Sequence, residues 1–285
     1  MAINLADKYS KKVEERFSLD SLVAGKTSND FDWDGVKSIQ VYDIETYEPV
    51  DYDRTSGSNR YGDPQEVQDS LQIMTIAQDK SNSLTVDKGN NTEQMMIKNA
   101  ASVAKRQVRE RYIPMRDKYC LNVWANFKLE DEEGNTIAQV QTKVDGNLTK
   151  SNIVEKISDG VTALVNKLVP ITNCYLYIGA SNYGKLANAP EFLSLEKLGQ
   201  KAVEKGKVGE VHDLAVVRVP DSYMPAGVNF MIVKKEAVLA PVKIKDMNLH
   251  QNPPGISGHL LEFRWIFDAF VKKTKADGIY VSKSA

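Results

Sequence analysis

The stretch Gly179–Lys185 reads GASNYGK and has the skeleton of a phosphate-binding loop placed after a predicted buried strand. Such a loop cradles phosphates with its backbone amides, and a Ser or Thr after its lysine binds Mg²⁺. Here Leu186 occupies that position, and Pro190 interrupts the helix whose N-terminus should receive the phosphate. The sequence therefore favours a glycine-punctuated turn over a nucleotide site.

The three histidines do not form a catalytic or metal-binding set. His212 precedes Asp213, which could orient an imidazole for base chemistry, but no Ser or Cys nucleophile on an identifiable elbow accompanies this pair. His250 and His259 flank a turn with the sequence Pro-Pro-Gly and lack the spacing of a metal pair. The sequence thus predicts a protein that is not an enzyme and needs no metal or cofactor.

Two charged clusters are best interpreted as solvated surface. The acidic run 130–133 lacks the alternating ligands of a calcium loop, so it predicts an exposed turn. The basic residues Lys105, Arg106, Arg109 and Arg111 fill the outer face of a predicted helix. Such faces are usually solvated, so they predict at most a weak, nonspecific contact with nucleic acid.

The bulk composition is that of an ordinary globular protein. The chain has 285 residues, 42% of them hydrophobic and 26% charged, and its net charge is −1, which is not the basic footprint of a dedicated nucleic-acid reader. Cys120 and Cys174 lie in apolar surroundings without metal spacing and predict buried thiols in a reduced cytosol. The N-terminus lacks the apolar core of a signal peptide, and no apolar run approaches the ~18 residues that span a bilayer, so no membrane partner is expected.

The elements that would position any functional surface begin with a long β-hairpin. One arm is 36–44, the other is 71–86, and a polar tip at 51–64 lies between them. An isolated two-stranded ribbon is marginal in water, and a stretch of this length usually has a function. We therefore expect the ribbon to lean on another copy of the chain; a ribbon packed wholly against its own chain would contradict this interpretation.

The remaining chain predicts an α+β fold. Helical spacing indicates one long helix at 92–126 bent at Pro114, followed by a small hairpin over 127–146 and a helix over 149–168. A buried strand at 174–178 precedes a loop and a short helix near 192–204, and the alternation of elements over 147–240 is typical of an α/β domain. Later strand candidates are 211–219, 228–233, 238–244, 259–271 and 278–281.

Taken in order, these elements resemble the tailed-phage major capsid proteins of the Hong Kong 97 type. In that family an N-terminal arm leads to a long hairpin, the E-loop, then to the spine helix of a peripheral P-domain and to an axial α/β A-domain. Segments 87–92, 267–271 and 275–281 are similar to the matching parts of family members. The resemblance implies an arm at 1–35, an E-loop at 36–90, a P-domain with the spine helix at 91–145, an A-domain at 146–240 and return strands to the P-domain at 241–285.

The resemblance also implies a function. The protein would be a structural homo-oligomer that self-assembles, as hexamers and pentamers, into an icosahedral shell around phage double-stranded DNA. It would be assembled in the cytoplasm of the bacterial host with a separate scaffolding protein and a portal, would reside in the virion capsid, and would touch the DNA weakly and nonspecifically. Alternatives are an encapsulin-like nanocompartment shell, a phage tail or baseplate module, and a monomeric α/β enzyme that uses Gly179–Lys185.

A shell subunit needs contacts with several neighbours, and a projecting ribbon and arm supply them. Apolar ribbon residues would cover a helix of a neighbour, and tyrosines suit a contact that is half wet. The predicted contact residues are Ile39, Val41, Tyr42, Ile44, Tyr52, Arg54, Arg60, Tyr61, Ile73 and Ile76 of the ribbon, with Tyr9 and Phe17 of the arm.

Overall fold

A computed structural model describes residues 19–33, 37–55, 57–89, 100–131, 133–189 and 210–284. Helices and sheets are mixed along these residues, as the sequence predicts. No helix among them is long and apolar enough to cross a membrane. The predicted first residues of the long helix, 92–99, and the predicted helix near 192–204 lie outside this part of the chain.

The predicted ribbon is present, but it is shorter than the sequence indicates. β1 (Ser38–Ile44) pairs antiparallel with β2 (Asp69–Thr75), so Ser38 lies opposite Thr75 and Ile44 lies opposite Asp69. The predicted second arm, 71–86, divides after Thr75, because β3 (Gln78–Asp87) leaves the ribbon and pairs with a strand near the C-terminus. Side-chain alternation continues through both strands, which is why periodicity alone predicts a single arm.

β3 is the edge of a three-stranded antiparallel sheet completed by the hairpin of β12 (Val242–Gln251) and β13 (Gly258–Phe267). At the hairpin end, Gly258 has a φ of +143°, and a Cβ there would lie 2.1 Å from the carbonyl oxygen of Val86. Only glycine therefore lets the two strands approach this closely. One face of the sheet packs on the long helix through a buried cluster of Val86, Ala104, Tyr112, Leu261, Phe263, Trp265 and Phe267.

The long helix is continuous from 100 to 125 but not uniform. α1 (Ala100–Gln107) passes through a π-helical turn (Val108–Tyr112) into α2 (Ile113–Ala125). Pro114 has no N–H to donate to the carbonyl four residues earlier. The turn before it is widened, and the Ile113 N–H bonds to the Val108 oxygen five residues back. The π turn thus lies directly before Pro114, and the bend at Pro114 stays a prediction.

A six-stranded mixed sheet lies on the other side of α2. Its strands are β6 (Gln141–Val144), β7 (Cys174–Gly179), β8 (Glu210–Val211), β9 (Leu214–Val219), β10 (Val228–Lys234) and β15 (Ile279–Lys283), in the order β6-β15-β10-β7-β9-β8. Alternate residues of β10 enter opposite layers: Phe230 and Ile232 pack with α3 (Ile153–Asn166) and α4 (Ala180–Ala187), whereas Met231 and Val233 pack with α2. Helices therefore cover both faces of this sheet.

The smaller predicted elements are present with interruptions. β4 (Lys128–Glu130) and β5 (Thr136–Gln139) form the small hairpin. Residues His212 and Asp213, both at positive φ, divide the predicted strand 211–219 into β8 and β9. The strand predictions 238–244 and 259–271 also divide, and their other parts, β11 (Val238–Leu239) and β14 (Phe270–Val271), pair with each other.

Candidate assembly surfaces

The base of the ribbon packs against its own chain. Met74 and Ile76 are buried with Trp33, and Ile39 and Val41 pack against the same cluster. Ile39, Val41 and Ile76 were predicted to contact a neighbour; all three pack within their own chain, and a contact with a neighbour stays a prediction. They pack in this way because the ribbon has two faces, and these side chains lie on the side that the body of the same chain covers.

Hydrogen bonds also hold the ribbon base to the body. The side-chain amide of Gln72 donates to the carbonyl of Val271 at 2.9 Å and accepts from the N–H of Lys273 at 2.8 Å. The ammonium group of Lys273 donates to the hydroxyl of Ser70 at 2.8 Å. The Gln72 amide donates to one backbone group and accepts from another. These two bonds together hold β2 in one position along the segment that follows β14.

The opposite face of the ribbon is apolar and exposed. Tyr42 and Ile44 are each 66% exposed, Ile73 is 59% exposed and Leu71 is 44% exposed. Tyr42 lies directly opposite Leu71, so the four side chains share one face of the pleat. We call these four residues the ribbon outer face. Leu71 was not among the predicted contacts, although its alternation with Gln72 in the sequence placed it on this side.

The ribbon tip, residues 45–68, is organised by its own contacts. The rings of Tyr52 and Tyr61 meet edge to face with centroids 4.9 Å apart, and the Asp53 N–H donates to the Arg60 carbonyl at 3.0 Å. Tyr61 is nevertheless 85% exposed, and Arg54 and Arg60 are exposed as well. The predicted polar tip is therefore a preformed surface that presents aromatic rings and cations to solvent.

A buried carboxylate organises the joint at which the ribbon meets the three-stranded sheet. Asp268, between β13 and β14, accepts a hydrogen bond from the Ala77 N–H at 2.7 Å, where β2 ends and β3 begins. It also accepts from the hydroxyl of Tyr119 on α2 at 2.8 Å and from the Ala269 N–H at 2.8 Å. This bonding and burial raise the pKa of Tyr119 to about 12, with burial as the main cause. One side chain therefore joins the ribbon, the long helix and the C-terminal strands.

The segment before the ribbon is fixed to α2 by a second buried carboxylate. Asp117, 1% exposed, accepts from the Ser21 hydroxyl at 2.8 Å and from the Leu22 N–H at 2.6 Å. Burial raises the pKa of Asp117, although these bonds and the nearby Arg116 and Lys26 oppose the shift. The carboxylate therefore fixes the path of residues 19–33 over the helix.

The other end of this segment is held near β14. The buried Lys272 is paired with Asp30 and donates to the Ser28 hydroxyl at 3.3 Å. The rings of Trp33 and Phe270 are stacked with centroids 5.2 Å apart. Two polar anchors and one aromatic stack thus hold the chain as it approaches β1, whereas the predicted arm contacts Tyr9 and Phe17 lie outside the described residues.

The anchor at Asp117 gives a first prediction. Asp117→Ala should lower the free energy of unfolding by about 2 kcal/mol, because the Ser21 hydroxyl and the Leu22 N–H lose their acceptor. Asp117→Asn should keep an acceptor for Leu22 and remove the buried charge. Because the raised pKa means that the folded state binds the proton more tightly than the unfolded state, wild type should lose stability relative to Asp117→Asn as pH rises above about 3.8. Urea unfolding between pH 3 and pH 7 measures this difference, and a constant difference across that range would contradict the assignment.

The stretch Gly179–Lys185 is not a phosphate-binding loop. Gly179 ends β7, and the following residues form α4, which corrects the predicted turn. The carboxylate of Asp221 already occupies the N-terminus of α4, where it accepts hydrogen bonds from the hydroxyl of Ser181 and from the N–H of Ser181 at 3.1 Å. These two bonds lower the pKa of Asp221. A phosphate placed there would meet this charge, so the enzyme interpretation loses its only binding motif.

The other reactive side chains also have structural roles. His212 lies in the two-residue turn between β8 and β9, and His250 pairs with Glu262 across β12 and β13 at 3.0 Å. Burial raises the pKa of Cys120 to about 12 and of Cys174 to about 11, so both thiols are inert. Within the described part of the chain, no group of His, Cys, Asp and Glu side chains could hold a metal ion.

Comparison with solved structures identifies the fold. A structure titled "Capsid structure of the Cyanophage P-SCSP1u" superposes with a TM-score of 0.74 at 11% identity, over 98% of this chain and 93% of that one. "Asymmetric unit of bacteriophage PhiM1 mature capsid" gives 0.74 at 12% identity, over 99% and 92%. This chain has a phage-capsid fold. A chain from Mycobacterium phage Che8 gives 0.75 at 12% identity, over 98% and 96%.

The similarity to these phage-capsid structures extends over nearly the whole length of this chain. No protein-family model matches the sequence, and no curated protein is similar to it at a significant level. At 11–12% identity the pattern of elements is shared and the side chains are not, which explains why the order of elements is more informative than any single motif.

Proposed function

We propose that this protein is a major capsid protein, a structural subunit that assembles with copies of itself into the closed shell of a phage virion. The observation that carries the proposal is the ribbon: its base is anchored to its own chain, while its outer face and tip expose apolar and aromatic side chains. The similarity to capsid structures over nearly the whole chain supports the same function. In this proposal the exposed side chains meet sister subunits, and no active site is required.

The proposal includes the domain roles of the Hong Kong 97 type. Residues 1–35 would be the arm, 36–90 the E-loop, 91–145 with the long helix the P-domain, 146–240 the A-domain and 241–285 the return to the P-domain. The strand pairing between these segments supports the proposal. The three-stranded sheet pairs a strand of the proposed E-loop with two strands of the proposed return, and the six-stranded sheet contains strands from three of the five segments. Hexamers and pentamers, a separate scaffolding protein, a portal and assembly in the host cytoplasm are parts of the same proposal.

Electron microscopy of the expressed full chain, with and without a co-expressed scaffolding protein from the same phage, tests the proposal. Closed particles of uniform diameter are expected under at least one condition. Open tubes or rings would instead support a tail or baseplate module. A protein that stays monomeric at high concentration under both conditions would refute the capsid assignment, because many weak contacts should reinforce one another once shells close.

The ribbon outer face yields a second prediction. Tyr42→Thr combined with Ile73→Thr removes two exposed side chains but keeps residues suited to a strand, so the free energy of unfolding should change by less than about 0.5 kcal/mol. Burying each side chain in a neighbour contributes about 1.5–3 kcal/mol, and the concentration at which particles appear should therefore rise at least about tenfold. Gln40→Thr, on the same face, is the matched control and should assemble like wild type. Unchanged assembly of the double variant would remove this face from the interface.

A further inference from the structure

Charge is unevenly distributed between the long helix and the rest of the chain. Residues 100–125 contain six Lys and Arg and two Asp and Glu, whereas the whole chain contains 37 and 38. The helix therefore carries a net charge of +4, and the remaining residues together carry −5. The protein is therefore nearly neutral as a whole, but its long helix is strongly basic.

The two acids of this helix do not neutralise its surface. Glu110 pairs with Arg106 in the preceding turn at 3.2 Å. Asp117 is buried and accepts hydrogen bonds from Ser21 and from the backbone of Leu22. Both carboxylates are thus engaged locally, and the sequence alone could not show which cations they leave on the surface.

Four cations of the helix are exposed: Lys105, Arg109, Arg111 and Lys118. Among the described residues, Lys105, Arg111 and Lys118 form no ion pair, and Arg109 approaches Asp20 only at 4.0 Å in an exposed pair that contributes little. Lys105 and Arg109 are four residues apart and so share a helix face. Arg111 and Lys118 lie on other sides of the helix, because six and thirteen residues turn them well away from Lys105.

We propose that the face of the long helix that carries Lys105 and Arg109 contacts the phosphate backbone of the enclosed duplex, so that this side of each subunit faces the interior of the shell. The inference rests on the proposed function, which places double-stranded DNA inside. A duplex presents one negative charge about every 1.7 Å, and Lys and Arg contact phosphates without reading bases. The rest of the chain carries a net charge of −5, so the long helix is the element with the strongest net attraction for the duplex.

Contact through a few cations per subunit is weak and sensitive to salt. Each phosphate contact contributes a slope of about −0.9 to the dependence of log K on log salt concentration. Two contacts, from Lys105 and Arg109, give a slope of about −1.8, so affinity falls as salt rises. Such a contact holds DNA against the wall without blocking its movement during filling or release.

The test measures binding of a 30-base-pair duplex of arbitrary sequence to the full chain by fluorescence anisotropy, over a series of KCl concentrations. Lys105→Gln with Arg109→Gln keeps helix-favouring residues and should reduce the slope by about 1.8, which corresponds to about 60-fold weaker binding at 0.1 M salt. The control, Lys150→Gln with Lys167→Gln, removes the same charge from exposed positions on or near α3 and should bind within twofold of wild type.

Two results would overturn the proposal: equal weakening by the control pair, or retention of wild-type slope by the helix pair. A poly-glutamate chain that competes as well as duplex at equal charge would also overturn it, because the surface would then fit an acidic protein. Electron microscopy of both variants separates this inference from the proposed function. Particles that form normally with reduced DNA affinity support both, whereas wild type that binds DNA but forms no particles refutes only the capsid assignment.

Discussion

Replacing residues 45–68 with the dipeptide Asn-Gly should give a folded subunit that forms no closed particles. The cut joins Ile44 to Asp69, which lie opposite each other, and Asn-Gly favours the two-residue turn that such strands require. The contacts that anchor the ribbon base, including the Gln72 bridge to Val271 and Lys273, stay intact. Only the preformed tip is lost, with Tyr52, Tyr61 and its cations.

Circular dichroism and urea unfolding would establish that the shortened subunit is folded, and electron microscopy would count particles. We expect at least a hundredfold loss of closed particles, since loss of about 3 kcal/mol per interface already changes the association constant by that factor. A shuffled tip of the same length and composition is the matched control and should also fail. Normal particles from the Asn-Gly variant would refute the role of the tip in assembly.

Asp268→Leu should strongly destabilise the subunit. It removes the acceptor for the Ala77 N–H and the Tyr119 hydroxyl, which are held at 2.7 and 2.8 Å. A buried donor left without a partner costs about 1–3 kcal/mol, so the free energy of unfolding should fall by about 2–5 kcal/mol. Because these bonds set the joint between β2 and β3, any subunits that remain folded should also assemble poorly.

A double-mutant cycle separates the joint from general destabilisation. Tyr119→Phe removes one donor, and Asp268→Asn keeps one acceptor oxygen while replacing the other by an amide that cannot accept. Urea unfolding of wild type, both single variants and the double variant gives the coupling between the two side chains, which should be about 1 kcal/mol or more. Strictly additive effects would mean that the hydrogen bond between Tyr119 and Asp268 does not stabilise the fold.

Much of the fold could be predicted because the informative patterns are local. Alternation over 38–44 and 69–75, helical spacing around Pro114 and the buried strand that becomes β7 each depend on neighbouring residues. The order of these elements was enough to indicate the capsid resemblance, and the comparisons confirm the fold at 11–12% identity. The contact roles of Tyr42, Ile44, Tyr52, Arg54, Arg60, Tyr61 and Ile73 stay predictions, although all seven are exposed.

What could not be predicted depends on residues that are distant in sequence. The division of the second arm at Ile76 and Ala77 is set by Asp268, 191 residues away from Ala77. The anchor between Leu22 and Asp117 spans 95 residues, and the cap of α4 by Asp221 likewise comes from another part of the chain. One of these contacts could have been suspected from the sequence. Asp268 stands in the apolar run Phe267-Asp268-Ala269-Phe270, and a carboxylate that is buried with such a run needs hydrogen-bond partners.

The direct passage of β2 into β3 has a mechanical consequence. A tensile load applied to the tip by a neighbour, for example from internal pressure, runs along this one stretch of backbone into the ladder between β3 and β13. There ten residue pairs from Gln78 to Asp87 hold the strand in register, and slippage by a single position would turn every side chain to the wrong face. All ten pairs must therefore resist the load together. The ribbon can in this way transmit tension from a neighbour to the sheet that packs on the long helix.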